Sequence, residues 1–240
     1  MAKCKVMHLG YNNPNLDYTM NGTNLKGVST EKDIGVTVTK NLKPSEHCAK
    51  ASITAMSVLF QLLRTFHFRD KTTFVSLYKT YVRPHLEFAA PVWNPWLAKD
   101  VELLEKVQKK FVRNISGLKG KTYAEKLSEI GLLSLEKRRV YLELVETFKI
   151  IKGLTNIDRS ELFELCGDSE RRHTRATNCP LNIILKRSHL DIRKHFYTNR
   201  VVNSWNNLPN EIKESVSLIS FKKTLRLHLM ALNSVEPGLE

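Results

Sequence analysis

Apolar residues recur along this chain with two different periods. Up to about residue 40 the runs are short and strand-like, Lys5 to Leu9 and Gly35 to Thr39, and between them lies Asn21-Gly22, a pair suited to the left-handed positions of a tight hairpin turn. After Leu42 the period becomes helical. Ser45, following Pro44, is placed to cap a first helix, and the spacing of Ile53, Met56, Phe60 and Leu63 predicts its inner face. Asp70 caps a second helix carrying Phe74, Leu77, Tyr78 and Tyr81, which Pro84 then disturbs, because the residue before a proline is pushed out of the α region.

The run from Val101 to Leu118 is the clearest amphipathic stretch. Val101, Leu104, Val107, Phe111, Ile115 and Leu118 fall on one side, with Lys106, Lys109, Lys110 and Arg113 opposite. Thr122 and Glu125 match a capping box, Ser134 is a further cap, and Tyr141, Leu144, Val145, Phe148 and Ile151 form a stripe ending near Gly153, so a helical hairpin is expected around Gly131. The stretch ERRHTRATNCP is polar, basic and aperiodic. Beyond it, Ser188 with Asp191 predicts a capped helix through Trp205, Pro209 starts the next, and Phe221, Leu225 and Leu229 mark a last one. The fold expected is mainly α: a small β-hairpin region over 1–40, helices over 41–120, a helical hairpin over 121–165, a basic loop or linker over 166–187, a C-terminal helical region over 188–232 and a tail over 233–240.

Composition changes this picture chiefly through charge. The 240 residues are 42% hydrophobic, enough for a buried core, and carry a net charge of +14, which favours a polyanionic partner through phosphate contacts and counterion release. No segment has the roughly 18 consecutive apolar residues of a membrane span, and MAKCKVMHLG lacks the apolar stretch of a signal peptide, so no membrane partner and an intracellular location are expected, nuclear or cytoplasmic left open. Asn21-Gly22-Thr23 is then an idle glycosylation pattern. Cys4, Cys48, Cys166 and Cys179 form no CxxC pair, and the wide gaps between Cys166, His173, Cys179, His189 and His195 argue against a zinc site; no metal is assigned. No phosphate-cradling glycine loop and no nucleophilic triad stands out, and no two aspartates are adjacent, as two-metal chemistry would require.

Two basic groups are candidate nucleic-acid contacts. Lys106, Lys109, Lys110 and Arg113 form a ridge that suits a phosphate backbone; the alternative is a solvated helix in which Glu102 and Glu105 pair with Lys106 and Lys109, each pair worth about 0.2 to 0.5 kcal/mol. Arg171, Arg172, Arg175, Lys186, Arg187, Arg193, Lys194 and Arg200 face a single acid, Asp191. Phe196 and Tyr197 beside them are either base-stacking platforms or core residues of the last helices. Trp93, Trp96 and Trp205 read as anchors of helix junctions whose indole N–H groups need partners.

Several spaced runs carry a resemblance: KCKVMHLG, KDIGV at Lys32 to Val36, LYKTYVRPHLEFAAPVWNP, LEKVQKKFVRNISGL, YAEKLSEIGLLSLEKRR and RVVNSWNNLPNEIKES. In this order they resemble the C-terminal part of reverse transcriptases (RNA-directed DNA polymerases) of non-LTR, LINE-type retrotransposons of the jockey-like and chicken-repeat-like lineages. The resemblance implies that 1–40 is the edge of a polymerase palm, 41–120 the thumb and the rest a helical C-terminal region. It implies that Asp33, Ile34 and Gly35 form a primer-grip-like turn, where the alternative is an ordinary hairpin bend, and that Lys3 matches a lysine that acts only in a longer enzyme. It further implies a primer–template partner, RNA or DNA, and an upstream palm and fingers if a longer product exists. The two magnesium ions of the complete polymerase would be held by aspartates without counterpart in this sequence, so this chain alone is expected to need no cofactor and to bind without catalysing. The other readings are a non-catalytic nucleic-acid-binding protein, a non-functional relic of a mobile element, and a helical protein-interaction module.

Overall fold

The computed structural model describes residues 4–10, 12–168 and 179–232. The chain is mainly α: helix accounts for 56% of it, and its strands, 8%, form small two-stranded sheets near the N-terminus. β1 (Lys5–Val6) pairs in parallel with β4 (Lys26–Gly27), while β2 (Thr19–Met20) and β3 (Thr23–Asn24) are antiparallel around Asn21-Gly22, whose φ angles of 49° and 73° are those a tight primed turn demands. β5 (Thr30–Asp33) and β6 (Val36–Thr39) form the longest ladder, and Val36, Thr37 and Thr39 bury that hairpin against the first helix.

Helices α1 (Ser45–Thr65), α2 (Lys71–Leu77), α3 (Arg83–Glu87), α4 (Ala90–Trp93), α5 (Ala98–Arg113) and α6 (Tyr123–Glu129) enclose a first core around Leu59, Phe74, Tyr78, Leu104 and Phe111. Between α2 and α3 the chain runs through a π turn, Tyr78–Val82, in which the Arg83 N–H reaches the Tyr78 carbonyl. The wider turn carries the helix into Pro84, which lacks the N–H an α turn would use, so the disturbance expected there is a bulge, and the helix is not broken. A second core, around Phe148, Phe163, Val201, Trp205 and Phe221, lies between α7 (Leu135–Ile151), α8 (Arg159–Leu162), α10 (Tyr197–Asn206), α11 (Asn210–Lys213) and α12 (Leu218–Ala231), while the short α9 (Asp191–Lys194), just before α10, buries no residue. α7 is the wall shared by both cores: α4 and α5 pack on it from one side, α10 and α12 from the other.

Local signals place most helix ends. The Asp70 carboxylate accepts from Thr73 N–H at 2.8 Å, Thr122 and Glu125 form a reciprocal capping box, and the Ser134 hydroxyl accepts from Lys137 N–H. Gly131 and Gly153, with φ near 63° and 64°, end α6 and α7 in Schellman turns: Leu132 N–H reaches the Leu127 carbonyl, and Leu154 N–H reaches that of Lys149. The helices on either side of Gly131 both pack on α5.

Four expectations need correction. α1 buries Cys48, Ala51, Ser52, Ala55 and Leu59, while Ile53 and Phe60 point outward; small side chains let α1 approach α5 closely enough for Ser52 Oγ to donate to the Leu103 carbonyl at 3.2 Å. Ser45 does not cap α1. Its hydroxyl instead donates to Asp100 at 2.5 Å, binding the start of α1 to that of α5. α5 ends at Arg113, and Ile115 and Leu118 reach the core from the turn beyond it. The helix expected from Ser188 to Trp205 is two, broken at His195-Phe196, and Leu190 precedes the first without a side-chain cap.

A buried polar chain joins the two cores. Arg139 Nε donates to Asn94 Oδ1 at 2.9 Å, Asn94 Nδ2 donates to Glu143 Oε1 at 2.9 Å, and Arg200 Nε donates to the same Glu143 oxygen at 2.7 Å. Removing one partner of a buried ion pair costs about 3 to 5 kcal/mol because the other charge stays buried. Glu143→Gln is therefore expected to lower the unfolding free energy in urea by that order, and a loss under about 1 kcal/mol would contradict this role for the pair.

Candidate nucleic-acid interface

The α5 ridge follows directly from helix geometry. Leu104, Val107, Gln108 and Phe111 face the core, and at 100° per residue this turns Lys106, Lys110 and Arg113 fully outward, with Lys109 half-buried at the margin. Of the two acids expected to dilute the ridge, only Glu102 does so, sitting 3.8 Å from Lys106 with both side chains 60% exposed. Glu105 turns inward instead. Its carboxylate accepts from Tyr123 Oη and from Leu135 N–H, at the N-terminus of α7, so its charge is committed to the core.

The exposed face of α1 adjoins this ridge. Lys110 Nζ stands 5.8 Å over the Phe60 ring, and Ile53, Met56, Phe60, Gln61 and Arg64 line a shallow groove of about 500 Å³. This outward face of α1 thus gives the ridge an apolar flank and one further cation, Arg64.

Asp33, Ile34 and Gly35 lie at the tip of the β5–β6 hairpin. Ile34 has φ 42° and is 88% exposed, a costly conformation for a β-branched residue, and Gly35 follows at φ 88°. A Cβ on Gly35 would come within 2.7 Å of the Phe88 ring, so glycine lets the tip close on the end of α3. Behind the tip, a groove of about 550 Å³ is lined by Lys32, His47, Lys50, His85 and Phe88. His47 Nδ1 accepts from Thr37 N–H at 3.1 Å while its ring lies 4.6 Å from that of Trp93; burial, with Lys32 and Lys50 nearby, pushes its pKa below the ordinary 6.5.

The second basic group is only partly described. Lys3, Arg171, Arg172, Arg175 and His173, with the tail from residue 233, lie outside the described residues. Lys186, Arg187, Arg193 and Lys194 are exposed, with Lys194 paired to Asp191 at 3.0 Å and Arg193 over the Phe196 ring at 5.2 Å. The two aromatics divide: Phe196 is half-exposed, whereas Tyr197 turns inward to Thr147 at 2.8 Å. Arg200 is no surface cation, being committed to Glu143. The ends of the basic segment are closed on each other, Cys166 N–H to the Asn182 carbonyl and Gly167 N–H to that of Pro180, and Cys166 and Cys179 are both buried there. His195 stacks on Trp96 at 4.6 Å, and among the described residues no three His, Cys, Asp or Glu side chains converge. The Trp93 and Trp205 indoles donate to the Phe88 and Leu181 carbonyls.

No family model and no solved structure matches the chain. An uncharacterized protein of Caenorhabditis elegans is 27% identical over 125 residues, covering 50% of this chain and 63% of that protein. The chain thus matches less than two thirds of that relative's length. Among the described residues no helix is long and apolar enough to cross a membrane.

Two outcomes test the hairpin region. Ile34→Asn, which places a residue tolerant of positive φ before Gly35, is expected to stabilise the protein by about 1 kcal/mol in urea unfolding; destabilisation would contradict the strain assigned to Ile34. Burial favours the neutral His47 ring in the folded state, so between its lowered pKa and 6.5 the unfolded chain binds more protons. Its contribution is complete above pH 6.5 and is lost as the pH falls through the lower folded value. His47→Gln is expected to flatten the fall in melting temperature between pH 7.5 and pH 5, and an unchanged profile would assign that fall to other groups.

Proposed function

We propose that this chain is the thumb-side, non-catalytic part of a non-LTR retrotransposon reverse transcriptase, binding primer–template duplex along α5 and the outer face of α1. The observation that carries the reading is the ridge of Lys106, Lys109, Lys110 and Arg113 with, among the described residues, one exposed carboxylate paired to it, Glu102, and Glu105 turned into the core. The ordered runs around LYKTYVRPHLEFAAPVWNP and the net charge of +14 support it from the sequence. Contacts of this kind neutralise phosphates without reading bases, which suits a surface that must hold successive positions of a duplex. In this reading the β5–β6 tip meets the primer backbone, and Lys32 and Lys50 extend the positive surface behind it. The described residues do not fit a two-metal centre, so no step of nucleotide addition is assigned to them.

Fluorescence anisotropy of a labelled RNA–DNA hybrid tests this. Each phosphate contact contributes about 0.9 to the slope of log affinity against log salt, so neutralising the four ridge residues to Gln is expected to reduce the slope by about 3 to 4. An unchanged slope would overturn the proposed surface.

A further inference from the structure

Four cations from four different helical segments converge on a pocket away from the ridge. Lys79 comes from the π turn, Arg83 from α3, Arg138 from α7 and Arg226 from α12, and they surround an indentation of about 200 Å³ whose lining, among the described residues, holds no acidic residue. Gln108 lies at its base, about 200° around α5 from Lys106, so the pocket is on the opposite side of that helix from the duplex surface.

Charge is poorly balanced there. Among the described residues the carboxylate paired to these cations is Glu87, held by Arg138 through Nε at 2.9 Å and Nη2 at 3.2 Å, and by Arg83 Nε at 3.3 Å, while Glu105, beyond Gln108, is bonded to Tyr123 Oη and Leu135 N–H. Arg226 donates to the Gly131 carbonyl at 2.8 Å, which fixes it at the rim without neutralising it. Lys79 has no hydrogen bond or ion pair among the described residues, and burial together with Arg83, Arg226 and Arg138 pushes its pKa down. Gln108 spends its amide on the Leu133 carbonyl and Tyr123 Oη, and its carbonyl oxygen accepts from Tyr78 Oη, so it has no role in balancing charge. Among the described residues, four cations thus share the one ion-paired carboxylate around a half-enclosed space.

We infer that this pocket is a binding site for a compact phosphate-class polyanion, met by Lys79 and Arg226 directly and by Arg83 and Arg138 with their remaining guanidinium donors. A monocarboxylate would leave most of the charge unmatched, whereas phosphate or pyrophosphate offers several oxygens to guanidiniums arriving from different directions. The volume suits one such group, which has two sources, a free polyphosphate or the phosphorylated end of a nucleic-acid strand.

Calorimetric titration of the full chain with inorganic pyrophosphate, against sodium chloride of equal ionic strength, tests the inference. Wild type is expected to bind about one equivalent; Lys79→Gln with Arg226→Gln, which also gives up the bond to the Gly131 carbonyl, is expected to weaken binding at least tenfold while still unfolding in one cooperative transition. Lys79→Gln alone, which breaks no bond, is expected to weaken binding measurably. The ridge variant with Lys106, Lys109, Lys110 and Arg113 changed to Gln should bind pyrophosphate as wild type does, which separates this site from the duplex reading. Tighter binding of a 5′-phosphorylated than a 5′-hydroxyl oligonucleotide, lost in the double variant, would identify the strand end as the source; equal binding of both, with pyrophosphate binding intact, would identify a free polyphosphate. Pyrophosphate binding no stronger than the chloride effect, or a double variant that binds as wild type, would overturn the inference.

Discussion

The arrangement of the helices depends on the polar chain that Glu143 and Arg139 of α7 make with Asn94 and Arg200, in which Glu143 neutralises Arg200. Arg139, 1% exposed, and Arg200 are both tied through Asn94 and Glu143, so α4, α7 and α10 are fixed to one another by charge-assisted hydrogen bonds in addition to apolar contact. Apolar packing alone tolerates sliding between helices. A buried carboxylate does not, because a shift of an ångström or two leaves an unpaired ion in a region that cannot solvate it. Arg200 also donates to the Pro91 and His195 carbonyls, joining α4 to the break between α9 and α10. The relative position of the two cores is thus set by polar geometry, and each core then supports its own surface features.

That division explains what was legible in the sequence. Most signals confined to a few consecutive residues were reliable: Asp70, the Thr122–Glu125 box, Ser134, and the glycines at 131 and 153 act on backbone groups within one helical turn, whereas Ser45, drawn to Asp100, and Ser188 do not cap the helices they precede. The outward direction of Lys106, Lys110 and Arg113 was readable for the same reason, since a strong apolar stripe fixes the opposite face. Readings that required knowing a distant partner failed. The face of α1 was misjudged because close approach to α5 selects small Cys48, Ala51, Ser52 and Ala55 over larger Ile53 and Phe60. Glu105 looked like a surface partner for Lys109, and Arg200 like a surface cation, because neither Leu135 N–H nor Glu143 is near them in sequence. Lys79, Arg83, Arg138 and Arg226 span more than half the chain and share no spacing that links them.

The same constraint shapes the proposed interface. Taking Glu105 inward removes one negative charge from the ridge, and placing Phe60 under Lys110 gives it an apolar neighbour. Two elements of the first core, the β5–β6 hairpin and α3, close on each other through Gly35 and Phe88, which holds an exposed, strained tip near Lys32 and Lys50. In the proposed reading these form a surface that grips a duplex from its backbone, with the first core as rigid support and the polar chain at α7 preventing it from shifting.

The most direct test of that surface is the pattern of lysine protection when an RNA–DNA hybrid is bound, read by mass spectrometry after brief acetylation. The account predicts that Lys106, Lys109 and Lys110 are shielded together with Lys50, while Lys149 and Lys152, at the far end of α7, react as in the free protein. Uniform protection of all lysines, or shielding confined to Lys186 and Lys194, would contradict it.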